Sequence, residues 1–198
     1  MIPTARFLPQ NWSLADGSVA RVSDVVVLAE DTRHQRFVRA YLKRFEDYRD
    51  NIRNLDLPSG RRCGEQWVRE RYANEVRAYR SRSTRARTAL IVAIDADAGD
   101  INRRLRQLRD ALDNANLAPR TDQERIIHLI PRRNIETWVL NLNGTNVDED
   151  TDYSHEPGIN EQIVNAAIRF FDWSRPNAPP PPCVPSLLSA ITEVRRLE

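Results

Sequence analysis

Lysine, glycine and cysteine are scarce in this 198-residue chain: one lysine (Lys43), six glycines and two cysteines. Each scarcity narrows the class of protein. Cys63 and Cys183 lie far apart, and neither belongs to a CxxC pair or to a Cys/His cluster with zinc spacing. That argues against a disulfide framework or a structural zinc. No glycine-rich phosphate loop of Walker type is present, so ATP hydrolysis by the chain itself is not expected. No apolar run reaches the length needed to span a bilayer, and residues 1–10 lack a charged region followed by a long apolar stretch. The expectation is a cytoplasmic protein without a membrane partner. No repeat of solenoid type is visible, and the length suits one compact domain with a real core.

Charge nearly cancels, with 30 basic and 28 acidic side chains for a net of +2. The balance says little about partners, but the near-exclusive use of arginine says more. A GC-rich genome produces the same bias, yet guanidinium forks also suit phosphate oxygens.

Two apolar runs end in acids. Val25-Val26-Val27-Leu28-Ala29 meets Glu30-Asp31, and Leu90-Ile91-Val92-Ala93-Ile94 meets Asp95-Ala96-Asp97. Continuous runs rich in β-branched residues read as strands covered on both faces, typical of a parallel sheet. In such sheets ligands bind at the carboxyl ends of the strands. Residues i and i+2 at a strand end point the same way, so Asp95 and Asp97 are predicted to converge on one hard cation, with Glu30 or Asp31 reaching it from a neighbouring strand. Aspartates also follow strands because they open turns and cap helices, and Asp100 before Ile101 is placed to do so.

Residues 1–23 lack periodicity and read as an irregular lead-in to a first strand at about 24–29. Phe37, Tyr41, Phe45 and Tyr48 predict a helix over 33–48. Residues 51–64 read as a basic loop carrying Arg61 and Arg62. Val68, Tyr72, Val76 and Tyr79 mark one face of the next helix, which leads through the arginine-rich 80–87 segment into the central strand. A third helix buries Ile101, Leu105, Leu108 and Leu112 and carries Arg103, Arg104, Arg106 and Arg109 on other faces. A third strand follows at 126–130, closed by Pro131, and a helix begins near Asn134. The stretch from Asp148 to Asp152 reads as a solvated acidic loop, with a second metal or a basic patch as the other use. A helix over 159–173, a polyproline spacer and a last helix from 185 complete the chain, and the spacer lets that helix dock on this chain or on a partner.

An acid-terminated first strand, Asp-x-Asp after a central strand, and Glu136 at a helix start together resemble the TOPRIM domain of topoisomerases, bacterial primases and overcoming-lysogenization-defect nucleases. Glu30 matches the family's glutamate after the first strand, and Asp95 and Asp97 match its Asp-x-Asp pair. Ile130-Pro131-Arg132-Arg133-Asn134-Ile135-Glu136-Thr137-Trp138 resembles a feature of small stand-alone TOPRIM-like proteins, several of which occur with ATPases in anti-phage systems. The resemblance covers about residues 24–142. Many members have Glu-Gly where this chain has Glu30-Asp31, which leaves Glu30 and Asp31 as alternative ligands.

The resemblance implies an α/β, TOPRIM-like Rossmannoid with a mostly parallel central sheet flanked by helices over 24–145, and a helical C-terminal extension over 146–198. It implies a nuclease that cleaves DNA or RNA with Mg²⁺ or Mn²⁺, beside an ATPase subunit in antiviral defence, and is compatible with a homo-oligomer. Oxygen-only ligation by Glu30, Asp31, Asp95 and Asp97 fits those hard cations. In the catalytic set Asp95 and Asp97 would hold metal, Glu30 would hold metal or serve as general base, and Glu136 would complete the site or orient a ligand, with Arg132 and Arg133 for the scissile phosphate. Arg61, Arg62, Arg80, Arg82 and Arg85 are the candidates for tracking a phosphate backbone. The other class is a non-catalytic nucleic-acid-binding or interaction subunit. Trp67 and Trp138 could stack on bases but fall at core spacing, His34 reads as a capping or surface residue, and His128 as a hydrogen-bonded core histidine.

Overall fold

The computed structural model describes residues 22–58, 63–97, 99–175 and 180–197. The irregular segment expected at the start lies outside these up to residue 21, as do Arg61, Arg62, Pro176 and Pro179. Four strands, β1 (Val22–Ala29), β2 (Ile52–Asn54), β3 (Arg87–Ala93) and β4 (Ile126–Leu129), form one sheet in the order β2-β1-β3-β4. Every pairing is parallel, as the apolar runs predict. Residues 25–29 of β1 and 89–93 of β3 are buried on both faces. The architecture is a Rossmann-like α/β fold.

Alternation along the strands divides the core in two. Val25, Val27, Ala29, Ile91 and Leu129 face α1 (Thr32–Leu42), α4 (Ile135–Leu142), α5 (Ile159–Ser174) and α6 (Pro185–Glu193). Val26, Leu28, Leu90, Val92 and Ile126 face α2 (Gly64–Ser83) and α3 (Ile101–Asn114). On the first side, the ring of Phe170 lies 5.4 Å from Phe37 and 5.0 Å from Tyr41, which locks α5 onto α1. Trp138 is fully buried there, as its helical spacing predicts, and Trp67 is partly buried against the second core.

Two differences from the sequence reading, at the end of α1 and at β2, have physical causes, and the docking site of the last helix is one of the two that the sequence leaves open. Helix α1 ends at Leu42, where the backbone passes into three-residue turns, Arg44 N–H to Tyr41 and Phe45 N–H to Leu42. Phe45 and Tyr48 still pack on the first core, so their spacing reports burial beyond the helix. Strand β2 lies inside the expected loop because a three-residue edge strand, Ile-Arg-Asn, is too short to show alternation. The last helix docks on this chain: Leu187, Ala190 and Ile191 join the first core, and the Trp138 indole N–H donates to Ser186 Oγ at 2.7 Å. Residues 146–198 therefore share a core with the helices before them.

Helix α6 also covers the outer edge of β4. Glu193 accepts the His128 backbone N–H at 3.2 Å, and the Arg120 guanidinium donates to the Ile126 carbonyl at 2.7 Å. Among the described residues no helix is long and apolar enough to cross a membrane.

Candidate active site

The chain runs from β1 to β2 on one side and then crosses back to β3 on the other, so the sheet reverses its order between β1 and β3. Crevices at such a switch point, outside the carboxyl ends of the strands, are where open α/β sheets bind ligands. Here three strands end in a helix capped by a short polar side chain. Asp31 accepts from His34 N–H, Asp100 from Asn102 N–H and Asn134 from Thr137 N–H. The capping role anticipated for Asp100 is what the structure contains.

A cleft of about 310 Å³ opens over the ends of β1, β3 and β4. The carboxylates of Asp31, Asp95, Asp97 and Glu136 line it, with Asp152 and the guanidinia of Arg33 and Arg133. Glu30 stands behind them. Its Oε2 accepts the backbone N–H of Asp95 at 2.9 Å, so the end of β1 is stitched to the end of β3 through this side chain. The start of α2 closes over it: a Cβ on Gly64 would lie 2.4 Å from the Glu30 carbonyl oxygen and 2.8 Å from its Cγ.

His34, 1 % exposed, is the centre of the network. Its Nδ1 is 2.8 Å from Asp31 Oδ1 and its Nε2 3.0 Å from Asp95 Oδ1. Two carboxylate acceptors call for two N–H donors, which is the imidazolium form. Burial pulls the ring's pKa down, but the charge of Asp95 and the hydrogen bond to Asp31 outweigh it and hold it well above 6.5. For Asp31, burial acts upward and the His34 hydrogen bond and charge overcome it, leaving the carboxyl at about 2. Burial dominates at Asp95, which is pushed up to about 6 against the pull of His34. It dominates again at Glu30, pushed up to about 7 with the charge of Asp95 adding to it.

Asp97 departs from the predicted alternation. Its φ of 53° places it in the left-handed region, which aspartate tolerates better than most residues. The turn carries its carboxylate away from His34 to Arg104 on α3, whose Nη2 donates to Asp97 Oδ2 at 3.0 Å. Arg104 also donates from Nε to the Asp95 carbonyl at 2.9 Å and pairs with Glu65. Only 6 % exposed, it lies with the buried face of α3 and not on an outer face as its charge suggested.

Glu136 is 3 % exposed and paired with Arg33. Arg133 reaches the cleft beside Asp152, whereas Arg132 turns aside to Asp150 at 2.8 Å. The acidic stretch is the exposed loop expected, apart from buried Glu149, and it is tied down: Asp152 accepts from Asn134 at 2.9 Å, and Glu149 accepts the Ser186 N–H at 2.9 Å. Its acids hold the turn between β4 and α4.

The arginine-rich segment is not at this site. Helix α2 starts against Glu30 and runs back over 20 residues, about 30 Å, to the amino ends of the strands. There Arg80 is bound to Glu124 and the Pro119 carbonyl, Arg82 lies 3.8 Å from Asp24, and Arg85 is exposed. Arg80, Arg82 and Arg85, the candidates for tracking a phosphate backbone, therefore lie at the other end of the sheet from the acid cleft.

The residues missed by sequence reasoning are His34, Arg104, Arg33, Asn134 and Asp152. One signal existed: Arg104 falls four positions before Leu108, on the buried stripe of α3. Among the described residues no three histidine, cysteine or acidic side chains stand together as a ready cation cluster. The donor set is nonetheless of the kind hard cations take, carboxylate oxygens from adjacent strand ends. The charge of Asp95 also disfavours ionisation of Glu30, a repulsion that a cation would relieve. No protein family, curated protein or solved structure matches the chain.

Proposed function

We propose that the chain is a divalent-metal-dependent, TOPRIM-like nuclease that hydrolyses phosphodiester bonds of DNA or RNA, the effector subunit beside an ATPase in antiviral defence. One observation carries the reading: carboxylates from three adjacent strand ends share a single cleft with two arginines at the switch point of a parallel sheet. Asp95 and Asp97, with Glu30 or Asp31, are the residues that would hold Mg²⁺ or Mn²⁺. When bound, such an ion supplies an activated water and charge stabilisation at the phosphate. The Glu30 carboxyl, at about 7, is poised to take up a proton near neutral pH. Asp31 and His34 fix the orientation of Asp95. Arg104 fixes Asp97, Arg33 holds Glu136, and Arg133 faces the cleft where a phosphate would be clamped.

A second reading, a non-catalytic nucleic-acid-binding or interaction subunit, is favoured by the same ion pairs, since His34, Arg33 and Arg104 already neutralise Asp95, Glu136 and Asp97. Incubating wild type and Asp97→Ala with labelled DNA and RNA in Mg²⁺, Mn²⁺ and EDTA separates the two. The nuclease reading expects cleavage that both the variant and EDTA abolish. Salt-sensitive binding without cleavage under any metal, with and without the ATPase, supports the second.

A further inference from the structure

We propose that residues 148–154 form an autoinhibitory strap: Asp150 and Asp152 hold the places of two nucleic-acid phosphates on Arg132 and Arg133, and a nucleic acid must displace them to reach the acid cleft. The inference rests on reading that cleft as a phosphodiester site. The segment lies along the side of the cleft formed by the turn after β4, where Asp152 and Ser154 are part of the lining. Asp150 Oδ1 is 2.8 Å from Arg132 Nη2, Asp152 Oδ2 is 3.4 Å from Arg133 Nη2, and the Ser154 carbonyl accepts from Arg33 Nη1 at 3.0 Å. Three guanidinia at one end of the sheet thus take an acceptor from one short stretch of chain. Two of those acceptors are carboxylates, which fit a guanidinium fork as phosphate oxygens do.

The way the segment is fastened separates a strap from a plain structural loop. Its root is buried: Glu149 is 7 % exposed and accepts the Ser186 N–H at 2.9 Å. Asp148 closes the turn on itself, accepting the N–H groups of Asp150 and Thr151 at 2.8 and 2.6 Å. The two carboxylates that face arginine are accessible, with 76 % of the Asp150 side chain and 47 % of the Asp152 side chain open to water. Ion pairs so placed are weak and screened by salt. The turn that carries the arginines is also fixed without them, since the Pro131 carbonyl accepts the Ala96 N–H at 2.9 Å and Asn134 caps α4. Asp150 and Asp152 therefore cover the arginines with contacts that break readily, while Glu149 keeps the segment at hand. A nucleic acid brings several phosphates at once and releases counterions as it binds, which lets it outcompete two such carboxylates.

Binding of labelled DNA and RNA oligonucleotides, single- and double-stranded, to the full chain in EDTA at about 100 mM salt tests this apart from cleavage. The double variant Asp150→Asn, Asp152→Asn removes both charges and keeps the Oδ1 acceptor that Asp152 offers to Asn134 and to the Ser154 N–H. It should bind at least about threefold more tightly than wild type. Asp150→Asn alone should give part of that gain, since the Asp150 side chain meets only Arg132 among the described residues. Asp110→Asn, Asp113→Asn, an equal change of charge at exposed positions in the far half of α3, should stay within about 1.5-fold of wild type. In a chain carrying Arg132→Ala and Arg133→Ala, the two asparagines should add nothing. The proposal is overturned if the double asparagine variant binds no better than wild type, or if neither binds any of the oligonucleotides. An equal gain in the α3 variant overturns it as well, as does a gain that survives without the arginines. Cleavage by the same proteins in Mg²⁺ or Mn²⁺ is read separately: cleavage without the gain refutes the strap and leaves the nuclease reading standing, whereas the gain without cleavage counts against the nuclease reading alone.

Discussion

Asp95 and His34 meet at 3.0 Å across the gap between the end of β3 and the first turn of α1, and the far side of the same imidazole rests on Asp31. One protonated ring thus ties two strand ends and a helix cap into a single unit. The unit is charged throughout, so its members stand or fall together.

Removing the ring leaves the mostly buried Asp95 carboxylate facing nothing. His34→Ala should cost about 3–5 kcal/mol in urea unfolding at pH 7.5 in EDTA. Asp95→Asn added to that background should recover part of the loss, so that the double variant falls short of the summed single effects by about 1–3 kcal/mol. Strict additivity would mean the two side chains are not coupled. Because the folded-state pKa of His34 is raised, its contribution is complete below 6.5 and fades as pH climbs through the folded value.

Glu30 carries the opposite sign. Its carboxyl ionises near 4.5 when unfolded and at about 7 when folded, so stability falls between those pH values and the penalty is complete above them. Glu30→Gln keeps an acceptor for the Asp95 N–H and removes the penalty. The variant should match wild type at pH 4 and exceed it above neutrality by at most on the order of 3 kcal/mol, read as a growing difference in melting temperature without metal. A difference that does not change with pH would refute the burial of an ionisable Glu30.

Gly64 lets the start of α2 lie directly on Glu30. Gly64→Ala puts a methyl group 2.4 Å from the Glu30 carbonyl oxygen, so the helix start or the end of β1 must shift. A loss of about 1–3 kcal/mol is expected, along with a larger fall in cleavage than in folded fraction, since the displaced carboxylate belongs to the proposed site. Unchanged stability and cleavage would show that the contact is slack.

The two central strands were legible because burial on both faces leaves an unbroken apolar run, as in 25–29 and 90–94, whereas the three-residue β2 was not. The acids at their ends were legible for the same reason, since a carboxylate after such a run marks where the strand leaves the core. What escaped was whatever depends on side chains meeting across elements. His34 sits three residues after Asp31, the spacing of an ordinary cap, and nothing local announces that its other nitrogen finds Asp95 sixty-one residues on. The arginines at 80, 82 and 85 precede the central strand in sequence, but the return path of α2 sets them at its opposite end. The left-handed turn at Asp97 likewise has no signature in an Asp-x-Asp pattern.

The two edges of the sheet decide how this protein meets others. With Glu193 and Arg120 occupying backbone groups of β4, and β2 offering three residues, neither margin invites a visiting strand to add itself by main-chain pairing. The sheet is thereby guarded against growing into edge-to-edge aggregates. A partner chain must therefore dock by some route other than extending the sheet.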